Sequence, residues 1–296
     1  MAFMDNYLLG AVIGNGGYGT VYKATCLKTG QEFALKCYKR GVEYATVREL
    51  SCLSALQGQP HVIQMHDCFI HNGMMAMLMS YAPYTLADVI HSGLGRALEP
   101  IPLSFVARIS VEVAHALSYM HGLHLVHRDL APVNVLLTED LTVKVADMGL
   151  SRHSSKWMTT LVVTEPYRAP ELFVKDNFAQ YTCTIDMWSL GVMIVDAVEE
   201  RVVFSKPGVS TYQIIVNTFC PKDHPSASPT PWDPKTLMPK VMACKLVKRI
   251  VFQLLAFRQN ERLLAHELLK DTEWTGAAHM TEDDRDLVRD RIERQQ

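Results

Sequence analysis

The sequence lacks several features that would assign it to a membrane, a secreted or a nucleic-acid-binding class. No apolar run approaches the ~18–20 residues that span a bilayer. The longest candidate, Trp188–Val195, is bounded by Asp186 and Asp196. Met1–Gly10 carries Asp5 and has no basic start followed by an apolar core, so we expect no secretory leader. There is no basic block, and the formal net charge is −2, so neither a nucleic-acid nor a membrane partner is expected.

The seven cysteines are scattered, and no two of them are spaced as C-x-x-C. An odd and dispersed set indicates reduced thiols in an intracellular protein, cytoplasmic or nuclear. The composition, 48% hydrophobic and 20% charged, predicts a folded chain rather than a disordered one. A length of 296 residues is long for a single core, so a division into lobes is expected.

The stretch His127–Gly149 has the sequence HRDLAPVNVLLTEDLTVKVADMG and places Asp129, Asn134 and Asp147 close together. β-Branched residues alternate with polar ones between them, which predicts the two short strands of a hairpin. Such a hairpin brings Asn134 and Asp147 side by side at its ends, beside Asp129. The residues alone therefore suggest a site for a hydroxyl nucleophile and a divalent metal.

A glycine-rich segment near the start, Gly14–Gly19, has the pattern G-x-G-x-x-G. Glycine lets backbone N–H groups approach phosphate oxygens, but the pattern alone also fits a dinucleotide-binding turn. A strand-like run, Thr20–Ala24, follows it where a dinucleotide motif needs a helix. A second alternating strand then ends in Lys36, and a helix predicted from its apolar spacing contains Glu49.

In this order, the motifs resemble those of a eukaryotic protein kinase, and in particular its cyclin-dependent and MAP kinase group. The quoted segments are Thr46–Leu50, His127–Asn134, Asp147–Gly149 and Val162–Glu171. The resemblance implies an α+β, bilobal protein kinase fold, with a small antiparallel-sheet N-lobe containing one main helix and a larger, mostly helical C-lobe. The expected boundaries are residues 1–82 for the N-lobe, 83–275 for the C-lobe and 276–296 for a charged helical tail.

The resemblance also implies an activity, the transfer of the ATP γ-phosphate to serine or threonine of protein substrates with Mg²⁺. The residues it assigns to catalysis are Asp129, Lys36, Glu49 and Thr164, with Glu49 paired to Lys36. The metal ligands it implies are Asn134 and Asp147. The implied nucleotide-binding residues are Gly14, Asn15, Gly16, Gly17, Tyr18, Gly19, Val21, Ala34, Lys36, Met79, Ser80, Ala82 and Leu136. Three scaffold residues are implied as well: Asp186 behind the catalytic loop, and the buried pair of Glu171 with Arg262.

Three arginines, Arg48, Arg128 and Arg152, stand where cyclin-dependent kinases surround a phosphothreonine. Thr159, five residues before Thr164, matches that threonine. Since a phosphate carries about two negative charges and arginine binds it bidentately, phosphorylation would join three segments of the chain. The resemblance thus implies an activating phosphosite at Thr159, an upstream activating kinase, and room for a cyclin-like activator.

The sequence departs from the family pattern at three places. Ala131 replaces the lysine usual in serine/threonine kinases, and Met148 replaces a phenylalanine. Both keep open a pseudokinase or nucleotide-binding scaffold, and Ala131 also a dual-specificity or tyrosine kinase. Glu165-Pro166 lies near the pocket for the residue after the acceptor, so a preference for proline there stays open. A small-molecule kinase is disfavoured by the Ala169–Glu171 element.

Overall fold

The computed structural model describes residues 6–17, 19–40, 43–71, 73–92, 99–153, 158–159, 164–173 and 178–294, with backbone alone for 158–159 and 178–179. In these residues the chain forms a sheet-rich N-terminal lobe and a helical C-terminal lobe, which confirms the predicted α+β kinase fold. None of the described helices is long and apolar enough to cross a bilayer. The seven cysteines all lie in described segments and are free thiols.

The N-lobe is built on a five-stranded antiparallel sheet with the order β1-β2-β3-β5-β4. The strands are β1 (Tyr7–Asn15), β2 (Gly19–Cys26), β3 (Glu32–Tyr38), β4 (Met65–His71) and β5 (Met74–Ser80). Successive side chains of a strand point to opposite faces. Phe33 and Leu35 therefore join a small core on one face, while Ala34 and Lys36 point to the other face. Helix α1 (Tyr44–Ala55) buries Glu49, and this places its carboxylate near Lys36.

The C-lobe contains most of the helices. They are α2 (Leu86–Ile90), α3 (Leu103–Gly122), α4 (Thr184–Glu199), α5 (Thr211–Phe219), α6 (Pro234–Leu237), α7 (Pro239–Ala243), α8 (Lys245–Leu254), α9 (Ala265–Leu268), α10 (Thr272–Ala277) and α11 (Glu282–Glu293). Helix α4 is buried along almost its whole length and forms the centre of this lobe. Gly191 allows α8 to approach α4 closely, because a Cβ there would lie 2.8 Å from Leu255 Cδ2 and 2.9 Å from Leu254 Cβ.

Short strands arrange the segments between the two lobes. They are β6 (Tyr84–Thr85), β7 (Leu125–Val126), β8 (Val135–Leu137), β9 (Val143–Val145), β10 (Arg152–His153), β11 (Met158–Thr159) and β12 (Phe178–Ala179). Strands β8 and β9 pair antiparallel, which confirms the predicted hairpin. Asn134 directly precedes β8, and Asp147 follows β9 after a single residue, as expected. Ile63 N–H donates to Val145 O over 3.0 Å, so the hairpin is also attached to the N-lobe.

Two segments differ from the simplest expectation. The six prolines of the stretch 221–239 indicate an extended loop, but two short helices begin there: α6 at Pro234, and α7 at Pro239, with one residue between the two helices. Proline suits the first turn of a helix, where its missing N–H would have no partner in any case.

The tail helix α11 has a thin apolar face, but Val288 and Ile292 are buried against the C-lobe. The lobe and tail boundaries themselves stay predictions.

Candidate active site

An ion pair joins strand β3 to helix α1. Lys36 Nζ lies 2.6 Å from Glu49 Oε1 and 2.8 Å from Oε2, and the two residues are 9% and 3% exposed. The Tyr38 hydroxyl donates to Glu49 Oε2 over 2.9 Å. Burial, together with the Glu49 charge, raises the pKa of Tyr38, so the phenol remains a donor at neutral pH. The sequence reasoning found the pair but missed Tyr38, which holds the carboxylate in place.

In the glycine-rich turn between β1 and β2, close packing requires glycine at one position, and at two other positions glycine leaves open space. A Cβ on Gly19 would lie 2.6 Å from Cys37 O, so glycine is required there by the close approach of β3. A Cβ on Gly16 or Gly17 would meet nothing within 4 Å. These two positions thus leave the outer side of the turn open for a ligand. Tyr18, predicted to belong to the nucleotide site, lies outside the described residues.

A lysine that the sequence reasoning missed contacts this turn. Lys39 Nζ donates to Asn15 Oδ1 over 2.6 Å and to Gly16 O over 2.8 Å. The cation lies just beyond β3, and its contact with the turn depends on the pairing of β2 with β3. No local pattern around Lys39 indicates that contact.

Four apolar residues predicted to enclose a nucleotide base are distributed over the two lobes. Val21 is paired with Lys36 across β2 and β3, and Ala34 is paired with Met79 across β3 and β5. Because residues directly opposite each other share a face of the sheet, Val21, Ala34 and Met79 lie on the face that carries Lys36. Leu136 is half-buried in β8, in the sheet below. The sheet face and β8 therefore form the two walls of the cleft.

The connection after β5 leaves backbone groups available at the predicted positions. Ser80 N–H donates to Gln64 O over 2.9 Å, so Ser80 offers only its carbonyl to a ligand. Ala82 lies outside the strands, and in the described segments its backbone N–H has no hydrogen-bond acceptor. One acceptor and one donor at this edge match the edge of an adenine ring.

The carboxylate of Asp129 is held from two sides. Asn134 Nδ2 donates to Asp129 O over 2.7 Å and to Asp129 Oδ2 over 3.3 Å. The Thr164 N–H and hydroxyl lie 3.3 and 3.5 Å from Asp129 Oδ1. Burial raises the pKa of Asp129, with a further increase from the Asp147 charge, against the lowering effect of His127. A carboxyl with a raised pKa accepts a hydrogen bond from a substrate hydroxyl more strongly.

Asp147 and Asn134 together provide oxygen donors for a cation. Asp147 has a left-handed backbone (φ 61°, ψ 72°), a conformation that aspartate tolerates better than most residues. Its Oδ1 accepts from Gly149 N over 3.3 Å. The Asn134 Nδ2 group is used by Asp129, so its amide oxygen remains for a ligand. Carboxylate and amide oxygens are the donors that Mg²⁺ prefers, so the residues fit this ion.

A buried carboxylate, Asp186, supports the catalytic loop from behind. Its Oδ2 accepts from His127 N over 2.9 Å, and its Oδ1 accepts from Arg128 N over 3.0 Å. His121 Nε2 lies 2.9 Å from the same Oδ2. Burial alone would lower the pKa of His121, but its interactions with Asp186 and Cys183 raise it to about 9. Asp186 has the predicted position, whereas the imidazolium of His121 was missed.

A second scaffold pair lies below the cleft as predicted. Arg262 Nη1 and Nη2 donate to Glu171 Oε1 and Oε2 over 2.7 and 3.1 Å. Arg262 is 3% exposed and also donates to Thr184 O and Ala256 O. The bidentate pair thus ties the segment after Thr164 to helix α4 and to the end of α8.

The three arginines of the predicted phosphate pocket lie close together. Arg48 Nη1 donates to Gly149 O over 3.2 Å, and Arg48 and Arg152 line one cavity between α1 and β10. Burial lowers the pKa of Arg128, the interaction with Tyr181 raises it, and the charges of Arg152 and Arg48 lower it. The backbone of Thr159 lies in β11, paired with Phe178 of β12, but its side chain lies outside the described residues.

Two of the three departures from the family pattern, Ala131 and Met148, are part of the core. Ala131 is 1% exposed and Met148 is fully buried. The Ser151 hydroxyl donates to Met148 Sδ over 3.4 Å. The methionine side chain is flexible and adapts to irregular apolar space, so it can fill the place of a phenylalanine without leaving a cavity. Alanine at residue 131 brings no cation to the neighbourhood of Asp129.

Comparison with known proteins gives one family and several relatives. The protein kinase domain family matches residues 7–274. The chain is 34% identical over 218 residues to serine/threonine-protein kinase SSN3 of Chaetomium globosum, covering 68% of this chain and 42% of the relative. It is 33% identical over 208 residues to cell division control protein 2 homolog 3 of Trypanosoma brucei brucei, covering 68% of this chain and 65% of the relative. The chain spans about half the length of the curated relatives it matches.

A solved structure has a similar fold. It is the CAK complex of Chaetomium thermophilum bound to ATP-gamma-S, and its matching chain gives a TM-score of 0.77 at 24% sequence identity. The superposition covers 91% of each chain. At this identity the likeness concerns the fold.

Proposed function

This chain belongs to the protein kinase family, and from that premise we propose that it transfers the γ-phosphate of ATP to serine or threonine hydroxyls of protein substrates. The observation that carries the proposal is the Asp129 carboxylate, held by Asn134 and Thr164 at the mouth of the cleft. The relatives are named serine/threonine-protein kinase and cell division control protein, which supports a place in the cyclin-dependent-like group.

Each polar residue of the cleft has a role in this reaction. Asp129 accepts the hydrogen bond of the acceptor hydroxyl and orients its oxygen towards the phosphate. Lys36, held by Glu49, presents its ammonium group to the phosphate oxygens. Asn134 and Asp147 would hold Mg²⁺ through their amide and carboxylate oxygens. When bound, ATP and Mg²⁺ supply the phosphoryl group and neutralise its charge. Phosphoryl transfer depends mainly on position and charge, and fixed side chains at these places support the proposed reaction on both counts.

The base of the nucleotide would bind between the two walls of the cleft. Val21 and Ala34 cover it from the N-lobe, and Leu136 supports it from the C-lobe. Ser80 O and Ala82 N–H would form its two edge hydrogen bonds, and Met79 would limit the depth of the pocket. Burial of an apolar ring, oriented by a few backbone polar groups, is the usual way in which proteins bind such ligands.

Purified chain should transfer labelled γ-phosphate to a mixed set of Ser/Thr peptides. Asp129→Asn should reduce the rate at least about 100-fold, since it removes the acceptor for the hydroxyl proton. Asp283→Asn, an exposed aspartate of α11, is the matched control and should keep the wild-type rate. Equal background transfer in wild type and Asp129→Asn would favour a nucleotide-binding scaffold. Phosphotyrosine among the products would favour a dual-specificity kinase.

We further propose that phosphorylation of Thr159 by an upstream kinase activates the protein. The support is the cluster of Arg48, Arg128 and Arg152, whose mutual repulsion a phosphate would relieve. Thr159→Ala should lower the transfer rate and remove one phosphopeptide from the map, while Thr160→Ala, its neighbour, should do neither. Unchanged activity together with an unchanged map in Thr159→Ala would refute the role of this residue.

A cyclin-like activator is also proposed, because α1 places Glu49 inward and two apolar side chains outward. Tyr44 is 93% exposed and Val47 is 48% exposed. A partner on this face would hold the helix and with it the Lys36–Glu49 pair. Transfer should rise when a member of a panel of cyclins is added, and Val47→Glu should abolish that increase.

Seven free thiols support an intracellular location, cytoplasmic or nuclear.

A further inference from the structure

The residue after Thr164 carries a carboxylate that the catalytic arrangement does not use. Glu165 is exposed, and in the described parts of the chain its side chain makes no hydrogen bond and no ion pair. Its neighbour Thr164 contacts Asp129 Oδ1 through both its N–H and its hydroxyl. Among the described residues, an unpaired negative charge therefore follows directly after Thr164, whose N–H and hydroxyl contact the carboxylate that would receive the substrate hydroxyl.

The backbone under Glu165 is well supported. Residues Glu165–Tyr167 form one 3-10 turn with proline in its first positions. Tyr167 N–H donates to Thr164 O over 2.9 Å, and the Tyr167 hydroxyl donates to Asp196 Oδ2 over 3.0 Å. Tyr167 is 5% exposed, so the turn is anchored in the C-lobe core. The carboxylate is thus presented from a fixed turn, which reduces the entropy lost when it binds a partner.

The nearest cation in sequence does not neutralise this charge. The Arg168 guanidinium lies 5.4 Å from the centre of the Phe173 ring, in a cation–π contact. Its backbone N–H donates to Glu165 O over 3.1 Å, whereas the Glu165 carboxylate forms no ion pair within the described residues. The charge of Glu165 is therefore available to a bound molecule.

The position of Glu165, directly after Thr164, limits which residues of a bound peptide could reach it. The acceptor hydroxyl must lie about 3 Å from the Asp129 carboxylate, itself 3.3 Å from Thr164 N. An extended peptide advances about 3.3 Å per residue. Building on the kinase activity proposed above, we propose that Glu165 is a specificity-determining residue that selects a lysine or arginine within two residues of the acceptor serine or threonine.

A peptide series with one acceptor serine tests this directly. Lysine, alanine or glutamate is placed singly at each of the two positions before and after the serine, and kcat/KM is measured for each peptide. At one of these positions the wild type should prefer lysine over alanine about threefold to fivefold, the range of an exposed ion pair. Glu165→Gln should bring that ratio to one, and Glu165→Lys should reverse the preference to glutamate. Glu293→Gln, an exposed glutamate at the end of α11, is the control and should keep the wild-type ratio.

Binding of the same peptides, measured by fluorescence anisotropy without ATP, separates the two proposals. Absence of transfer to every peptide would refute the proposed activity, but the lysine-to-alanine ratio of binding constants would still report on Glu165. The inference is overturned if that ratio is equal in wild type and Glu165→Gln in either measurement.

Discussion

Substitution of His121 by glutamine should make the stability of this protein less dependent on pH above neutrality. His121 Nε2 lies 2.9 Å from Asp186 Oδ2, and the same oxygen accepts from the His127 N–H. The Asp186 carboxylate is buried, so the imidazolium is its main compensating charge. Glutamine keeps a hydrogen-bond donor at this place but cannot carry the charge.

The size of the effect follows from the pKa of His121, which is about 9 in the folded protein and about 6.5 in an unfolded chain. The folded state therefore holds this proton more tightly than the unfolded state. The resulting stabilisation is fully present below about pH 6.5 and is lost as the pH rises to about 9. The difference between the folded and the unfolded pKa of His121 corresponds to about 3 kcal/mol in the free energy of unfolding.

Urea unfolding at intervals from pH 6 to pH 9.5 measures this effect. The free energy of unfolding of wild type minus that of His121→Gln should fall by about 3 kcal/mol across the interval. His266→Gln changes an exposed imidazole on α9 and serves as the control, with a constant difference from wild type. If the wild-type and His121→Gln curves run parallel, the imidazolium–carboxylate pair is not the source of the pKa change.

Three further predictions concern other buried groups. Glu49→Gln removes the charge that holds Lys36, and should lower kcat in the peptide assay about 100-fold, whereas an unchanged kcat would speak against the pair. Glu171→Ala leaves the Arg262 guanidinium buried without its carboxylate and should cost about 3–5 kcal/mol in urea unfolding; a loss below about 1 kcal/mol would contradict the buried-pair argument. Burial raises the pKa of the Asp196 carboxyl in the folded protein to about 7. As the pH rises from about 4 to 7, this carboxyl loses its proton in the unfolded state but keeps it in the folded state, so the free energy of unfolding of the wild type should fall. Asp196→Asn should show a flatter profile in denaturation across that range, and an identical slope would refute the assignment.

Much of the candidate site could be predicted because its residues are close in sequence or belong to recognisable motifs. Asp129, Asn134 and Asp147 fall within nineteen residues, and the alternating pattern between them indicated the hairpin that the structure has. The resemblance to kinases also indicated the pair of Lys36 with Glu49, which are thirteen residues apart. The roles of these residues in catalysis stay predictions, which Asp129→Asn and Glu49→Gln test for two of them.

Other contacts had no signal in the sequence. His121 meets Asp186 across 65 residues, and Lys39 meets Gly16 only because β2 and β3 pair. Helix α11 showed a weak apolar face, yet Arg291 is 3% exposed and is bound by Ser92 Oγ, Glu99 O and the Glu200 carboxylate. An arginine in a charged helix normally indicates a solvated face. Here, partners distant in sequence surround it.

The sequence alone determined the family resemblance, the order of the motifs and the alternation that directs Ala34 and Lys36 to the cleft face, because these properties depend on local spacing. The tertiary structure alone decided which charges are neutralised. Burial and distance set the pKa of His121, and the fold buries Arg128 beside two other arginines. Among the described residues it also leaves Glu165 without a partner next to Thr164. Such electrostatic properties depend on solvent exclusion by segments far apart in the chain, and no local pattern contains that information.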